Sequence, residues 1–231
     1  MKAVSLYAGA YWGPRRETLD ACAERADAFM EGLRSLDPAL ATWYKLGRSR
    51  RDALRHQVLI EHDVLRKLLE SGRNRRDFDR TVIEELGYSM FLWNGQEPSI
   101  GLHIGCGVSS PYVTNVVVID LPRSDEDLGK LASAETARNL MRLLVQCWDP
   151  EWSTLSSHDW REEQEVQAGE AVLGWMTYIR WVTEPLDLPP RVAVEHLGPG
   201  SLVIAAPELA MVSGRQLTAI RQALASDLRR P

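Results

Sequence analysis

The residues best suited to chemistry are a histidine and a cysteine in a glycine-rich run, residues 101–107. These two residue types bind metals and can also form a nucleophile–base pair. His103 and Cys106 are three positions apart on a predicted strand, where alternation directs their side chains to opposite faces. They can meet only if a bulge at Gly105 interrupts that alternation. The run is not a phosphate-binding loop, because no lysine followed by serine or threonine stands in the required register.

A second candidate site is His158 with Asp159, at the start of an acid-rich stretch. The pair could hold a metal or act as acid and base. However, no second histidine lies at ligand spacing, and carboxylates on a polar segment are usually solvated. The chain also lacks a nucleophile elbow, a zincin motif and a dinucleotide fingerprint. We therefore expect no enzyme, no catalytic residue, no metal and no cofactor; a small hydrolase or metal-dependent enzyme using either histidine is the alternative.

The segment 149–170 combines carboxylates with tryptophan, as expected of a surface that meets a basic partner. Tryptophan supplies anchors at interfaces, and carboxylates steer association. The candidate contact residues are Trp152, His158, Asp159, Trp160, Glu162, Glu163 and Glu165. Two other interpretations remain open: a charged loop with its tryptophans packed into the core, or a homo-oligomer with the tryptophans at the subunit contact.

The composition indicates a soluble globular protein. Of 231 residues, 45% are hydrophobic and 26% are charged, as in ordinary globular domains. The net charge of −5 and the pI near 5.6 disfavour direct nucleic-acid binding, which usually leaves a basic footprint. Three cysteines without framework spacing suggest reduced thiols. We find no signal peptide and no apolar run long enough to cross a membrane, so we expect a cytoplasmic protein with no membrane partner.

The amino-terminal part predicts a strand, a sharp turn and a long helix. Residues 3–11 have the pattern of a strand, which Gly13-Pro14 ends because proline has no N–H to donate. The helix that follows carries an apolar stripe at three- and four-residue spacing and stops at Asp37-Pro38. The stripe consists of Leu19, Cys22, Ala23, Ala26, Phe29, Met30 and Leu33.

Three segments in the middle of the chain predict an antiparallel meander. Tyr88–Trp93 and residues 99–106 both alternate, and Asn94-Gly95 between them is a hairpin signal. Residues 112–121 contain a continuous β-branched run, so we expect that strand to be buried on both faces.

The carboxy-terminal part predicts a helix after Ser133, a strand over residues 172–182, a proline-rich turn over 185–190, a hairpin across residues 191–206 and a final helix over 214–228. Strands in runs, with helices between the runs, indicate an α+β fold. We expect a mainly antiparallel sheet with helices packed on one face. Residues 1–231 are predicted to form one domain, with a possible two-lobe arrangement whose seam lies near 149–170.

Two groups of residues resemble the immunity protein 52 family. The stretch Gly9-Ala-Tyr-Trp-Gly-Pro-Arg-Arg-Glu-Thr18, with Trp43-Tyr44 after it, is similar to the amino-terminal signature of that family. Gly174-Trp-Met-Thr-Tyr178, with Leu188-Pro after it, is similar to the carboxy-terminal part. These positions belong to the fold, so the resemblance supplies no interface residues.

The resemblance implies an α+β cytoplasmic antidote from a bacterial polymorphic-toxin system. Such proteins are associated with secreted toxins that carry a restriction-endonuclease-like nuclease domain of the Tox-REase-5 type, often delivered by type VI secretion. The chain would then bind and neutralise a cognate nuclease toxin by stoichiometric inhibition, without touching nucleic acid itself. Its oligomeric state and its exact toxin are left open.

Overall fold

A computed structural model describes residues 5–122, 128–167, 169–182, 187–225 and 227–228. Within these ranges the chain forms ten strands and six α-helices. The strands are β1 (Leu6–Trp12), β2 (Trp43–Lys45), β3 (Gln57–Val58), β4 (Tyr88–Trp93), β5 (Gly101–Cys106), β6 (Asn115–Asp120), β7 (Trp152–Ser157), β8 (Met176–Ile179), β9 (Ala193–Leu197) and β10 (Gly200–Ile204). The helices are α1 (Leu19–Leu36), α2 (Arg50–Ala53), α3 (His62–Ser71), α4 (Ala134–Trp148), α5 (His158–Glu163) and α6 (Gly214–Ala223).

The strands belong to one antiparallel sheet in the order β3-β2-β4-β5-β6-β1-β7-β8-β10-β9. The predicted α+β class with a mainly antiparallel sheet is confirmed. The described chain divides into two compact units: the first holds the residues up to Ala10 and from Asp120 onward, and the second is Tyr11–Ile119. The prediction of a single domain with a seam near 149–170 stays a prediction.

Helix α1 in the second unit forms as its spacing predicts. The Thr18 hydroxyl accepts a hydrogen bond from the Ala21 backbone N–H at 3.2 Å, which caps the first turn. Asp37 is extended and Pro38 follows it, so the helix stops where expected. The predicted stripe is buried from the second turn on, as Cys22, Ala23, Ala26, Phe29, Met30 and Leu33.

The turn between β1 and α1 is held by one buried side chain, Asn115. Its Nδ2 donates to the carbonyl oxygens of Gly13 at 2.7 Å and Val108 at 3.1 Å. Its Oδ1 accepts from the Val108 N–H at 2.9 Å, and the Val108 carbonyl also accepts from the Arg15 N–H at 2.8 Å. Because Asn115 and Val108 are both buried, the bonds between them satisfy backbone groups with little access to water.

An ion-pair network follows on the same stretch. The Glu17 carboxylate is only 10% exposed. It accepts hydrogen bonds from Nε of Arg15 at 3.1 Å and from Nε of Arg25 at 2.8 Å. The Arg15 guanidinium also lies 4.8 Å from the centre of the Trp12 ring. Residues 9–18, which carry the resemblance to the family, therefore have a structural role, because they fix the start of α1.

The meander β4-β5-β6 is confirmed, with Tyr88 opposite Cys106 and Trp93 opposite Gly101 in an unbroken register. The predicted hairpin exists, although its connection spans residues 94–100 and is organised by the buried Asn94 side chain, whose Oδ1 accepts from the Ile100 N–H at 3.0 Å. The prediction that the third strand is buried on both faces is wrong. In β6 burial alternates, because only one face of the sheet is fully covered there.

In the first unit, helix α4 carries the predicted stripe, which is buried, and is capped by Ser133. It ends at Asp149, which takes a left-handed conformation with φ 47°. The hairpin of β9 and β10 is confirmed by its register. Helix α6 ends at Ala223, so the predicted extension to residue 228 is wrong. The predicted turn over 185–190 lies partly outside the described residues.

The predicted strand over residues 172–182 is also too long, since β8 covers only Met176–Ile179. In the residues before β8, side chains instead of a neighbouring strand form hydrogen bonds with the backbone. The Leu173 N–H donates to Oε1 of Gln164 at 3.0 Å, and the Leu173 carbonyl accepts from the Ser156 hydroxyl at 3.0 Å. With its backbone groups bonded in this way, the segment is buried without being a strand.

The Tyr178 hydroxyl is a buried polar group to which no side chain or backbone group in the described ranges makes a hydrogen bond. Burial raises the pKa of Tyr178 to about 12, and the nearby Arg180 only partly opposes the rise. In the unfolded chain the phenol titrates near 10. The folded state therefore holds the proton more tightly, and stability is lost as pH rises from the unfolded pKa through the folded one.

We expect Tyr178→Phe to be as stable as the parent protein or more stable at pH 8, and to lose less stability between pH 10 and 12. Urea unfolding across this range measures both effects, with the 93% exposed Tyr112→Phe as the control. Equal pH dependence of parent and Tyr178→Phe would contradict the prediction.

Candidate functional site

An open groove of about 390 Å³ lies along α5 in the first unit. It is lined by His158, Arg161, Glu162, Glu165 and Val166. The first three follow the spacing i, i+3 and i+4, which is one face of α5, and Glu165 lies just after the end of the helix. The helix begins where β7 ends, because the Ser157 hydroxyl accepts from the Trp160 N–H at 3.0 Å and caps the first turn.

The sequence pattern predicts a polar stretch or charged loop over segment 149–170, and no strand before this helix. Residues Ser153 to Ser157 are instead buried within β7, which pairs with β8. The surface part of the segment is confined to α5 and the residues just after it. The predicted contact residues therefore have two different settings.

Five of the predicted residues are exposed, and three of these line the groove. His158, Glu162 and Glu165 come together there, while Asp159 and Glu163 are exposed outside the groove lining. Trp152 and Trp160 are half-buried and pack against the hydrophobic cluster that includes Leu173, Ile179 and Leu217. The tryptophans thus contribute to the core of this unit as well as to its surface.

Glu163 has a structural contact of its own. Its carboxylate lies against Gly214, the first residue of α6, so closely that a side chain at that position would overlap it. A carboxylate near the amino terminus of a helix interacts favourably with the helix dipole. Substitutions at Glu163 would therefore mix effects on stability with effects on binding.

The end of α5 is fastened by Gln164, which is 8% exposed. Its Nε2 donates to the carbonyl oxygens of Trp160 at 2.9 Å and Leu173 at 2.8 Å. With the bond that its Oε1 accepts from the Leu173 N–H, the amide joins the helix to the segment before β8. Glu165 then takes a left-handed conformation with φ 48°, which turns the chain at the end of the groove.

Arg161 is the groove residue that the sequence interpretation missed. It lies near the Tyr7 hydroxyl, where its charge opposes the rise in the pKa of Tyr7 that burial causes. The His158 ring stacks obliquely on the Tyr7 ring, with centroids 5.0 Å apart. A helix prediction over this segment would place Arg161 on the same face as His158 and Glu162. The groove thus carries two carboxylates, one guanidinium and one imidazole.

The candidate site in the glycine-rich run, His103 with Cys106, does not assemble. The unbroken register of β4 and β5 leaves no bulge at Gly105, so His103 and Cys106 stay on opposite faces. His103 stacks on Phe91 with centroids 4.1 Å apart. The pKa of Cys106 is raised by its hydrogen bond with Cys22 and by burial, which keeps the thiol protonated and a poor nucleophile.

The described residues contain no cluster of three or more histidine, cysteine, aspartate or glutamate side chains placed to hold a metal ion. None of the helices in the described ranges is long and apolar enough to span a membrane. The groove is thus an exposed, charged surface beside a core that contains tryptophan.

Comparisons with known proteins identify a family and solved structures of similar fold. The sequence model of the family described as immunity protein 52 matches residues 5–230. Among solved structures, the Pseudomonas aeruginosa T6SS protein PA0821 is similar, with a TM-score of 0.55 and 13% sequence identity. The match covers 98% of this chain and 76% of that one, and at this identity it shows a shared fold. No curated protein matches the chain.

Proposed function

The chain belongs to the immunity protein 52 family, and from this membership we propose that it binds a cognate secreted nuclease toxin and neutralises it by stoichiometric inhibition. The observation that carries the proposal is the match of the family over residues 5–230. The toxin is proposed to carry a restriction-endonuclease-like domain of the Tox-REase-5 type and to be delivered by type VI secretion. The immunity protein acts in the cytoplasm, by binding and without catalysis.

The groove along α5 is the proposed contact for a basic surface of the toxin. Glu162 lies on α5 and Glu165 just after its end; both line the groove and both are exposed. A nuclease needs cationic side chains to hold the phosphate backbone of its substrate. Two carboxylates on one wall of the groove complement such a surface and would steer the encounter. The half-buried Trp160 of α5 packs against the hydrophobic cluster of the unit, as Trp152 of β7 does.

The test of the function is co-expression with the nuclease toxin encoded beside this chain. Bacteria that produce the toxin alone should stop growing, and co-production of this protein should restore growth. The purified proteins should form a stable complex in which nuclease activity is lost at equimolar ratio. Absence of both binding and protection would refute the proposed function.

For the groove, we expect the double variant Glu162→Lys and Glu165→Lys to associate with the toxin roughly tenfold more slowly at low salt. The difference should shrink as salt screens the charges. Stopped-flow association at several salt concentrations measures it. Glu24→Lys with Glu208→Lys, two exposed glutamates elsewhere, is the charge-matched control. If both double variants associate at the parent rate, the groove is not the contact.

A further inference from the structure

The second unit has a sheet face that differs in chemistry from the groove. In the register of β4 and β5, Phe91 lies opposite His103 and Trp93 lies opposite Gly101. These residues share the face that alternates with the buried Met90, Leu92, Leu102 and Ile104. Phe91 is 53% exposed, and Trp93 and His103 are half-buried. A large aromatic group is thus held in the middle of a sheet, facing solvent.

The rings on this face are ordered by contacts with one another. Phe91 and His103 stack with centroids 4.1 Å apart and an interplanar angle of 7°. Tyr44 on β2 lies beside Trp93, with ring centroids 6.4 Å apart, and Tyr44 is Trp93's partner in the register of β2 and β4. The Arg50 guanidinium lies 5.8 Å from the centre of the Trp93 ring. We call Tyr44, Arg50, Phe91, Trp93 and His103 the aromatic face.

The charge beside the aromatic face is opposite in sign to that of the whole chain. Residues 45–55 contain five cationic side chains and one carboxylate, in a protein of net charge −5. The five, all exposed, are Lys45, Arg48, Arg50, Arg51 and Arg55. Among them Arg50 forms an ion pair with Glu97 at 3.5 Å and is still 55% exposed. Arg50 therefore places positive charge directly beside the apolar, partly exposed centre, and four more exposed cations lie within five residues of it along the chain.

Protein-binding hot spots typically have tryptophan, tyrosine and arginine at the centre of a patch and charged residues at its rim. We propose that the aromatic face is a second toxin-binding surface, which receives an acidic, carboxylate-rich patch of the toxin. This rests on the proposed function. The metal-binding centre of a metal-dependent nuclease is a patch of that chemistry, because carboxylate oxygens hold its cations.

The covered ring faces favour a protein partner over a single-stranded nucleic acid. Nucleic-acid platforms present free ring faces on which successive bases stack. Here one face of the Phe91 ring is taken by His103, and the Trp93 ring has Arg50 over it. The exposed remainder suits apolar contact with another protein surface, while the cations next to it complement carboxylates.

The test measures binding of the catalytically inactive toxin to four single variants by calorimetry and stopped-flow. We expect Phe91→Ala to weaken affinity about tenfold or more, as removal of a central aromatic anchor does. Arg50→Glu should slow association roughly tenfold at low salt. Phe78→Ala and Arg76→Glu are the matched controls, because both residues are exposed in the same unit away from the aromatic face. They should bind like the parent protein.

The two proposals fail in different ways. If the parent protein does not bind the toxin, the proposed function is wrong. If the parent binds and Phe91→Ala and Arg50→Glu bind equally well, the function stands and the aromatic face is not a contact. Binding of a fluorescent single-stranded oligonucleotide that is lost in Phe91→Ala, with toxin affinity unchanged, would also overturn the inference in favour of nucleic acid.

Discussion

Replacing Asn115 with alanine is expected to destabilise the second unit by about 3–5 kcal/mol, because each buried polar group left without its partner costs about 1–3 kcal/mol. The side chain makes three hydrogen bonds, two to carbonyl oxygens of Gly13 and Val108 and one from the Val108 N–H. Alanine removes all three, so the Gly13 carbonyl and the Val108 N–H lose this partner, while the Val108 carbonyl keeps its bond from the Arg15 N–H. A typical protein is stable by only about 5–15 kcal/mol, so the loss would be a large fraction of the total.

Urea unfolding followed by tryptophan fluorescence and by circular dichroism measures this loss. Asn74→Ala, at an exposed position in the same unit, should change stability by less than about 0.5 kcal/mol. Asn115→Asp keeps the shape and the acceptor but not the donor, so it separates the two carbonyl contacts from the third bond. An Asn115→Ala protein as stable as Asn74→Ala would show that the turn after β1 does not depend on this side chain.

A comparably large effect is expected from Gly174→Ala in the first unit. A Cβ built on Gly174 would lie 2.2 Å from the Leu155 carbonyl oxygen and 2.7 Å from the Cβ of Ser156. The obstacle is mainly the backbone of β7, which cannot turn away as a flexible side chain could. Relieving the overlap requires strand β7 to move, and overpacking of this kind typically costs about 1–3 kcal/mol and occasionally more.

The matched comparison is Gly105→Ala, because a Cβ there meets nothing closer than 3.4 Å. Thermal unfolding should show a clear drop in Tm for Gly174→Ala and little change for Gly105→Ala. Both substitutions add the same methyl group to a buried glycine, and they differ in the space that the methyl group meets. Equal Tm values for the two variants would mean that β7 can move at Leu155 without loss of stability.

The long amphipathic elements could be predicted from the sequence, and the reason is physical. Helices α1 and α4 each bury one face, so their apolar residues recur at helical spacing and their caps, Thr18 and Ser133, mark where they begin. The meander could be predicted because its strands alternate. The buried strand β7 could not, since Ser153, Thr154, Ser156 and Ser157 are all buried and have the composition of a surface segment.

The candidate surfaces could be predicted only in part, because they depend on a helix and on a strand register that the order of residue types does not specify. His158, Glu162 and Glu165 were found from composition, but their grouping with Arg161 requires the helix that Ser157 caps. The stacking of Phe91 on His103 requires the register of two strands, in which a shift by one residue would separate them. The same register decides that His103 and Cys106 do not meet.

The amide of Gln164 has a consequence for how binding is expected to proceed. Its bonds to Trp160 and Leu173 fix the backbone of a six-residue helix, which would be too short to be stable alone. The groove side chains therefore start from an ordered backbone before a partner arrives. Association then loses less conformational entropy than it would if the segment ordered on contact, which makes the free protein a preorganised receptor.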